Sequence, residues 1–90
     1  MHIGARTMVS AGCSIASITH SESISTRRLG IEAPVTIEEV CWLGTGAIVL
    51  PGVRVGRGSI IGAGAVVTKG IPPLSLAVGV AARVVRQINS

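Results

Sequence analysis

The sequence predicts an all-β protein, a parallel β-helix, and three observations support that fold class. An aliphatic residue recurs at every sixth position in nine places, a compact residue stands four places after eight of them, and glycine often follows the aliphatic directly. The period-two alternation that an antiparallel sandwich would show does not occur. We therefore interpret residues 1–90 as a single domain of short stacked strands.

The aliphatic repeat runs in two blocks and defines the predicted strands in order. Its members are Ile3, Val9 and Ile15, followed by Ile37, Leu43, Val49, Val55, Ile61 and Val67. Each should point into the core, while the adjacent glycine allows a bend at the corner of a triangular coil. Three hexapeptides complete one coil, so Ile37 and Val55 should stack in one column. Ile3 joins that column provided that the six-residue repeat has the same phase before and after the insertion between the blocks.

The period fails over residues 21–34, a polar and charged stretch that ends at Pro34. We interpret this stretch as an excursion loop that leaves one corner of the prism directly after His20. Loops held by a rigid scaffold commonly carry function, so this corner is the first place to expect a site.

A C-terminal extension, residues 70–90, follows the last repeat and opens with a pair of prolines. A last strand is expected over residues 74–79. The apolar residues within 81–88 are spaced to share one helical face, which indicates a short helix that would cap the stack.

Composition excludes several functional classes. The chain has one tryptophan and no phenylalanine or tyrosine, so its core must be aliphatic. No run approaches the roughly 18 apolar residues of a membrane span, and the N-terminus lacks the layout of a secretory signal; together these predict a soluble, cytoplasmic protein without membrane contact. The net charge of +4 suits nucleic acid or a small polyanion, and the scarcity of aromatics for base stacking favours the small anion.

The cysteines and histidines offer little metal or covalent chemistry. Cys13 and Cys41 form no C-x-x-C motif and are expected to be buried free thiols. Cys13 is disfavoured as a nucleophile because buried apolar thiols ionise poorly. His2 and His20 would stack one coil apart and could share a metal, but a third ligand is hard to find, so no metal is predicted.

Several segments, together with a histidine just before the excursion loop, resemble the hexapeptide-repeat acyltransferases. The similar segments are Trp42-Leu43-Gly44, 48–53, 61–69, 71–73 and 82–86. The resemblance is to the maltose and galactoside O-acetyltransferases and the xenobiotic acetyltransferases, and it covers only the C-terminal half of a typical member. It implies a left-handed β-helix, a homotrimer with active sites between subunits, and acetyl-CoA as donor.

The resemblance assigns two catalytic residues. His20 would take the proton from the acceptor hydroxyl, which suits an imidazole that titrates near neutrality. The backbone N–H of Thr45 would stabilise the oxyanion formed on the thioester carbonyl. A surface histidine at a loop mouth and an ordinary corner residue are the alternatives.

The same resemblance assigns six residues to the cofactor. These are Trp42 on the acceptor and pantetheine side, Ala63, Thr68 and Lys69 along the pantetheine and pyrophosphate, and Arg83 and Arg86 near the nucleotide phosphates. Charge-assisted contacts with phosphate are strong, which makes the cationic residues chemically reasonable. The alternatives are solvated surface charges and, for the tryptophan, packing against the next subunit.

The predicted function is therefore acetyl-CoA-dependent O-acyl transfer to a small hydroxylated acceptor, a sugar or a xenobiotic, without a covalent intermediate. The alternative is a non-catalytic, truncated trimeric β-helix that binds CoA or another anion. Nucleic-acid binding through the positive charge is the third reading, and it predicts steep salt dependence.

Overall fold

The computed structural model describes residues 2–15, 18–20, 30–32 and 34–88, and within these ranges the chain is built from short strands. The strands are β1 His2–Ile3, β2 Met8–Val9, β3 Ser14–Ile15, β4 Ile18–His20, β5 Gly30–Glu32, β6 Thr36–Ile37, β7 Trp42–Leu43, β8 Ile48–Val49, β9 Arg54–Val55, β10 Ile60–Ile61, β11 Val66–Val67, β12 Ser75–Val78 and β13 Arg83–Gln87. Among these residues no helix is long and apolar enough to cross a membrane.

Parallel pairing arranges the strands as the three sides of a prism. The first side is β1-β6-β9, the second is β2-β7-β10-β12, and the third is β3-β8-β11. The chain visits the sides in rotation, so the strands form three coils. Bridges from Val55 to Ile71 and from Val66 to Val80 continue the first and third sides into part of a fourth coil. The predicted parallel β-helix of about three coils is confirmed.

The aliphatic columns are in register across the insertion. Ile3 pairs with Ile37, and Ile37 pairs with Val55, as the six-residue period predicts. Ile37 and Val55 are fully buried, whereas Ile3 in the first coil is 42% exposed. The aliphatic core is therefore complete in the second and third coils and thins toward the first.

The compact residues also stack, and one corner carries a column of hydrogen-bonding side chains. Its members are Thr7, Cys41 and Ser59, which directly precede β2, β7 and β10, and Ser75, the first residue of β12. Each donates to a nearby carbonyl: Thr7 Oγ1 to Glu38 at 2.9 Å and Cys41 Sγ to Gly56 at 3.2 Å are examples. The polar hydrogens of these side chains thus find acceptors at the corners. The expected free thiols are present, Cys41 buried and Cys13 partly buried.

The excursion begins as an antiparallel hairpin. β4 pairs with β5, and His20 lies opposite Gly30. Strand β5 falls inside the stretch predicted to be a loop, so residues 30–32 of that stretch are strand. Residues 21–29 and 33 lie outside the described residues, as do the side chains of both strands.

The prediction of a C-terminal helix is wrong, while that of a last strand is confirmed. β12 lies within the predicted range, but Arg83–Gln87 form β13, antiparallel to β12. Two reasons explain the strand. Adjacent Val84 and Val85 are β-branched and favour extended backbone, and the edge of β12 offers hydrogen-bonding groups that a helix would leave unpaired.

Candidate functional site

A groove of about 280 Å³ lies along the corner between the second and third sides. It is lined by Ser10, Trp42, Gly44, Thr45, Ile60, Ile61, Gly62 and Ala63. Three of the predicted site residues therefore meet there, namely Trp42, Thr45 and Ala63. They meet because Thr45 and Ala63 occupy equivalent corners of successive coils, which are tied by the Gly64 N–H donating to the Thr45 carbonyl at 2.9 Å.

The floor of the groove is made of backbone. A Cβ atom on Gly62 would lie 2.7 Å from Cγ1 of Val78, so a side chain there would have to displace Val78. The N–H groups of Gly44 and Gly46 donate to Ile61 and Ala11, whereas that of Thr45 has no backbone acceptor among the residues described. An N–H at a groove wall that is not used by the fold is suited to receive a ligand oxygen.

Trp42 forms the apolar wall of the groove. Its side chain points outward from β7 and is 48% exposed. On the second side it lies in register between Met8 and Ile60. Its indole Nε1–H donates a hydrogen bond to Oγ of Ser10, 3.3 Å away. The polar edge of the ring is thereby satisfied while its face remains available.

The other predicted residues do not line this groove. Thr68 and Lys69 are exposed and follow β11 at the corner between the third and first sides. Arg83 and Arg86 are exposed on β13, where they pair with Val78 and Leu76 of β12. His20 lies in β4, and its side chain lies outside the described residues. Within one chain the groove therefore contains Thr45, the proposed oxyanion donor, and the residues that form its walls. The other residues assigned to the cofactor lie outside it.

A larger groove, of about 540 Å³, lies on the first side and was missed by sequence reasoning. It is lined by His2, Gly4, Ala5, Thr36, Glu38, Glu39, Arg54, Arg57 and Pro73. Glu38 Oε2 accepts from Nη2 of Arg54 at 2.7 Å, and Oε1 accepts from the Arg57 N–H at 2.9 Å. The side-chain hydrogen bond from Arg54 and the backbone one from Arg57 hold the pKa of Glu38 below its ordinary value. The Glu38 carboxylate therefore forms an ion pair with Arg54 of the same chain.

Comparison with known proteins gives the class. The family described as bacterial transferase hexapeptide (six repeats) matches residues 34–69. A candidate acetyltransferase of Schizosaccharomyces pombe is 47% identical over 98% of this chain and 44% of its own length. The galactoside O-acetyltransferase of Lactococcus lactis is 45% identical over 97% of this chain and 43% of its own length. The solved structure of a galactoside acetyltransferase in complex with coenzyme A has a TM-score of 0.88 at 36% identity, covering 97% of this chain and 44% of that one.

Fold and comparisons together define a left-handed parallel β-helix of stacked hexapeptide repeats. Residues 34–69 match the hexapeptide repeats of bacterial transferases, and nearly the whole chain is similar to part of the hexapeptide-repeat acyltransferases, as the resemblance implies. It spans less than half the length of the relatives that it matches, 44% of one and 43% of the other.

Ser10 is the groove residue that the sequence did not reveal. It stands directly after an aliphatic of the first block, a position at which four of the other repeats have glycine. The only signal was its place in the repeat, one coil before the position of Gly44. To use this position as a signal, one must know how the repeats before and after the excursion align. The structure shows the alignment, since Val9 pairs with Leu43.

Proposed function

We propose that this chain carries out acetyl-CoA-dependent O-acetyl transfer to a small hydroxylated acceptor, a sugar or a xenobiotic. The observation that carries the proposal is the groove lined by Trp42, Thr45 and Ala63, in which the Thr45 N–H has no backbone acceptor within the described part of the chain. The similarity to a galactoside acetyltransferase solved with coenzyme A supports the choice of donor. The similarity to the Lactococcus galactoside O-acetyltransferase supports a hydroxyl acceptor.

The proposed reaction is a direct transfer. His20 accepts the proton of the acceptor hydroxyl as that oxygen attacks the thioester carbonyl. The Thr45 N–H donates to the resulting oxyanion. Collapse of the tetrahedral intermediate breaks the C–S bond, and the imidazolium returns its proton to the departing thiolate. The products are the acetyl ester and free CoA.

The donor lies along the Trp42 groove, with Thr68 and Lys69 near the pyrophosphate and Arg83 and Arg86 near the nucleotide phosphates. Within one chain Thr68 and Lys69 stand at a different corner from the groove, so we assign their contribution to a neighbouring subunit of a homotrimer. Exposed apolar side chains support such an assembly. Met8 is 62% exposed in the same outward row as Trp42. Burial of that row would favour association.

No metal takes part in the proposal. Among the side chains that the structure describes, no three His, Cys, Asp or Glu residues are grouped to hold an ion. Two free thiols, Cys13 and Cys41, support a reducing compartment, and we place the protein in the cytoplasm.

A second candidate is a non-catalytic β-helix that binds CoA or another anion. The observation that favours it is the length of the match, since the chain spans 44% of the length of a similar acetyltransferase. Calorimetric titration with acetyl-CoA, followed by measurement of thiol release with sugar and antibiotic acceptors, separates the two. Binding with acceptor-dependent release supports the enzyme, binding without release supports the second candidate, and no binding contradicts both.

A further inference from the structure

We infer that Ser10 is the positioning residue for Trp42, and that it sets the width of the groove that takes the thioester arm of the donor. The inference rests on the proposed function and adds to it a residue to which neither the resemblance nor the comparisons give a role. Its basis is the hydrogen bond from the indole Nε1–H to Ser10 Oγ, 3.3 Å long.

Ser10 is held in place by the β-helix itself. Its backbone N–H donates to the carbonyl of Leu43 at 3.0 Å, and Leu43 is the residue directly after Trp42. Leu43 in turn is fully buried in the core. The backbone that carries the Ser10 hydroxyl is therefore held by the coil beside it. The hydroxyl can thus restrain the orientation of the Trp42 ring.

Trp42 needs such a contact because it stands on the outside of the prism. Its side chain is 48% exposed, and its neighbours in the row, Met8 and Ile60, are apolar and offer the indole N–H no acceptor. Without the hydroxyl, the ring would be restrained only by apolar neighbours and could turn about its side-chain bonds. The hydrogen bond selects one orientation.

The orientation of the ring controls the groove. Ser10 and Trp42 both line it, together with the backbone-rich corner at Thr45 and Ala63. That corner is fixed by contacts between coils, so the ring is the wall that can move. A slender, largely apolar chain such as the arm of an acyl thioester fits a groove of this lining. Loss of the hydroxyl should therefore weaken donor binding more than it slows the chemical step.

The single tryptophan provides a direct readout, since its fluorescence reports Trp42 alone. The variants are Ser10→Ala, which removes the hydroxyl, and Ser10→Thr, which keeps it. The matched control is Ser14→Ala, because Ser14 also lies in the first coil and is exposed, but does not line the groove. For each we would measure fluorescence anisotropy and acrylamide quenching without ligand, then kcat and KM for acetyl-CoA.

In Ser10→Ala we expect lower anisotropy, stronger quenching and a KM about two- to tenfold higher, the range set by loss of one hydrogen bond, with kcat within about twofold. Ser10→Thr and Ser14→Ala should resemble the wild type. Unchanged anisotropy or unchanged KM in Ser10→Ala would overturn the inference, as would an equal effect of Ser14→Ala. If the wild type bound no acetyl-CoA, the proposed function would be contradicted. The anisotropy measured without ligand would still show whether Ser10 holds the Trp42 ring.

Discussion

A Cβ atom at Gly44 would lie 2.7 Å from the backbone nitrogen of Ala63, at the same corner of the next coil. A Cβ atom does not approach another non-bonded atom so closely, so the two coils touch at this corner through backbone alone. The same contact forms the floor of the groove between Trp42 and Thr45. Glycine is therefore required here by packing, apart from any need for unusual dihedral angles.

Replacement of Gly44 should consequently destabilise the fold. We expect Gly44→Ala to lower the free energy of unfolding by about 1–3 kcal/mol, because the added methyl group forces the coils apart. The control is Gly70→Ala, whose Cβ would lie 3.6 Å from the Arg54 carbonyl oxygen, an ordinary contact. Gly70→Ala should change stability by about 0.5 kcal/mol at most. Equal losses for the two variants in urea denaturation would contradict the packing argument.

The column that joins Ile3 to Ile37 permits a comparison of identical substitutions in adjacent coils. Ile37 is fully buried, whereas Ile3 is 42% exposed. Ile37→Ala should cost about 2–5 kcal/mol of unfolding free energy, since it removes buried methyl groups and leaves a cavity. Ile3→Ala should cost less than half as much, because part of its surface is already in water. Chemical denaturation of both variants tests the difference, and equal costs would show that the first coil is packed as tightly as the second.

Much of the fold was predictable from sequence because one short rule governs it. Each coil repeats the same pattern of inward aliphatic residues and compact corner residues. Pairs such as Ile37 with Val55 therefore follow from counting residues alone. The C-terminal segment obeys no such rule. Its valines fit a helical face as well as a strand, and the choice depends on the open edge of β12, which only the assembled structure presents.

The candidate site was predictable in part. The resemblance identified Trp42, Thr45 and Ala63, and the structure places them in one groove. Ser10 could not be found in the same way, because its contact with Trp42 spans the excursion and depends on how the coils align across it. Glu38 was missed for a related reason, since its partner Arg54 lies in the following coil and a surface charge pair leaves no mark on the aliphatic period.

The Glu38 carboxylate should make stability depend on acid pH. Hydrogen bonds from Arg54 and Arg57 lower its pKa in the folded state below the ordinary value of 4.5. The unfolded chain therefore binds more protons near that pH, so the contribution of Glu38 is complete at neutral pH and is lost as pH falls through the folded pKa. Glu38→Gln should be less stable than the wild type at pH 7, and the difference should shrink toward pH 3.

The control for this pH effect is Glu39→Gln, since Glu39 lines the same groove and is exposed. Thermal unfolding at both pH values, at low and high salt, gives the comparison. The stability difference between Glu38→Gln and the wild type should change with pH. If it stayed constant, or if Glu39→Gln gave the same difference, the ion pair with Arg54 would not be its cause.

The two thiols should differ in reactivity. Cys41 is 1% exposed, its Sγ donates to the Gly56 carbonyl, and burial raises its pKa. Both effects disfavour the thiolate that reacts with labelling reagents. Cys13 is only partly buried and should label faster in the native protein. The Cys13→Ser and Cys41→Ser variants leave one thiol each, so the rates can be measured separately with a chromogenic disulfide. Equal native rates would contradict the expected burial of Cys41.

His20→Ala tests the proposed general base. Removal of the imidazole should lower kcat by about 10²- to 10⁴-fold, because no other group would accept the proton of the acceptor hydroxyl. Binding of acetyl-CoA, measured by calorimetry, should stay close to that of the wild type, since the base acts on the acceptor. His2→Ala is the matched control: His2 lines the groove on the first side, away from Trp42 and Thr45, and its loss should leave kcat unchanged. Activity that survives in His20→Ala, with intact folding shown by circular dichroism, would remove the base assignment while leaving the donor groove in place.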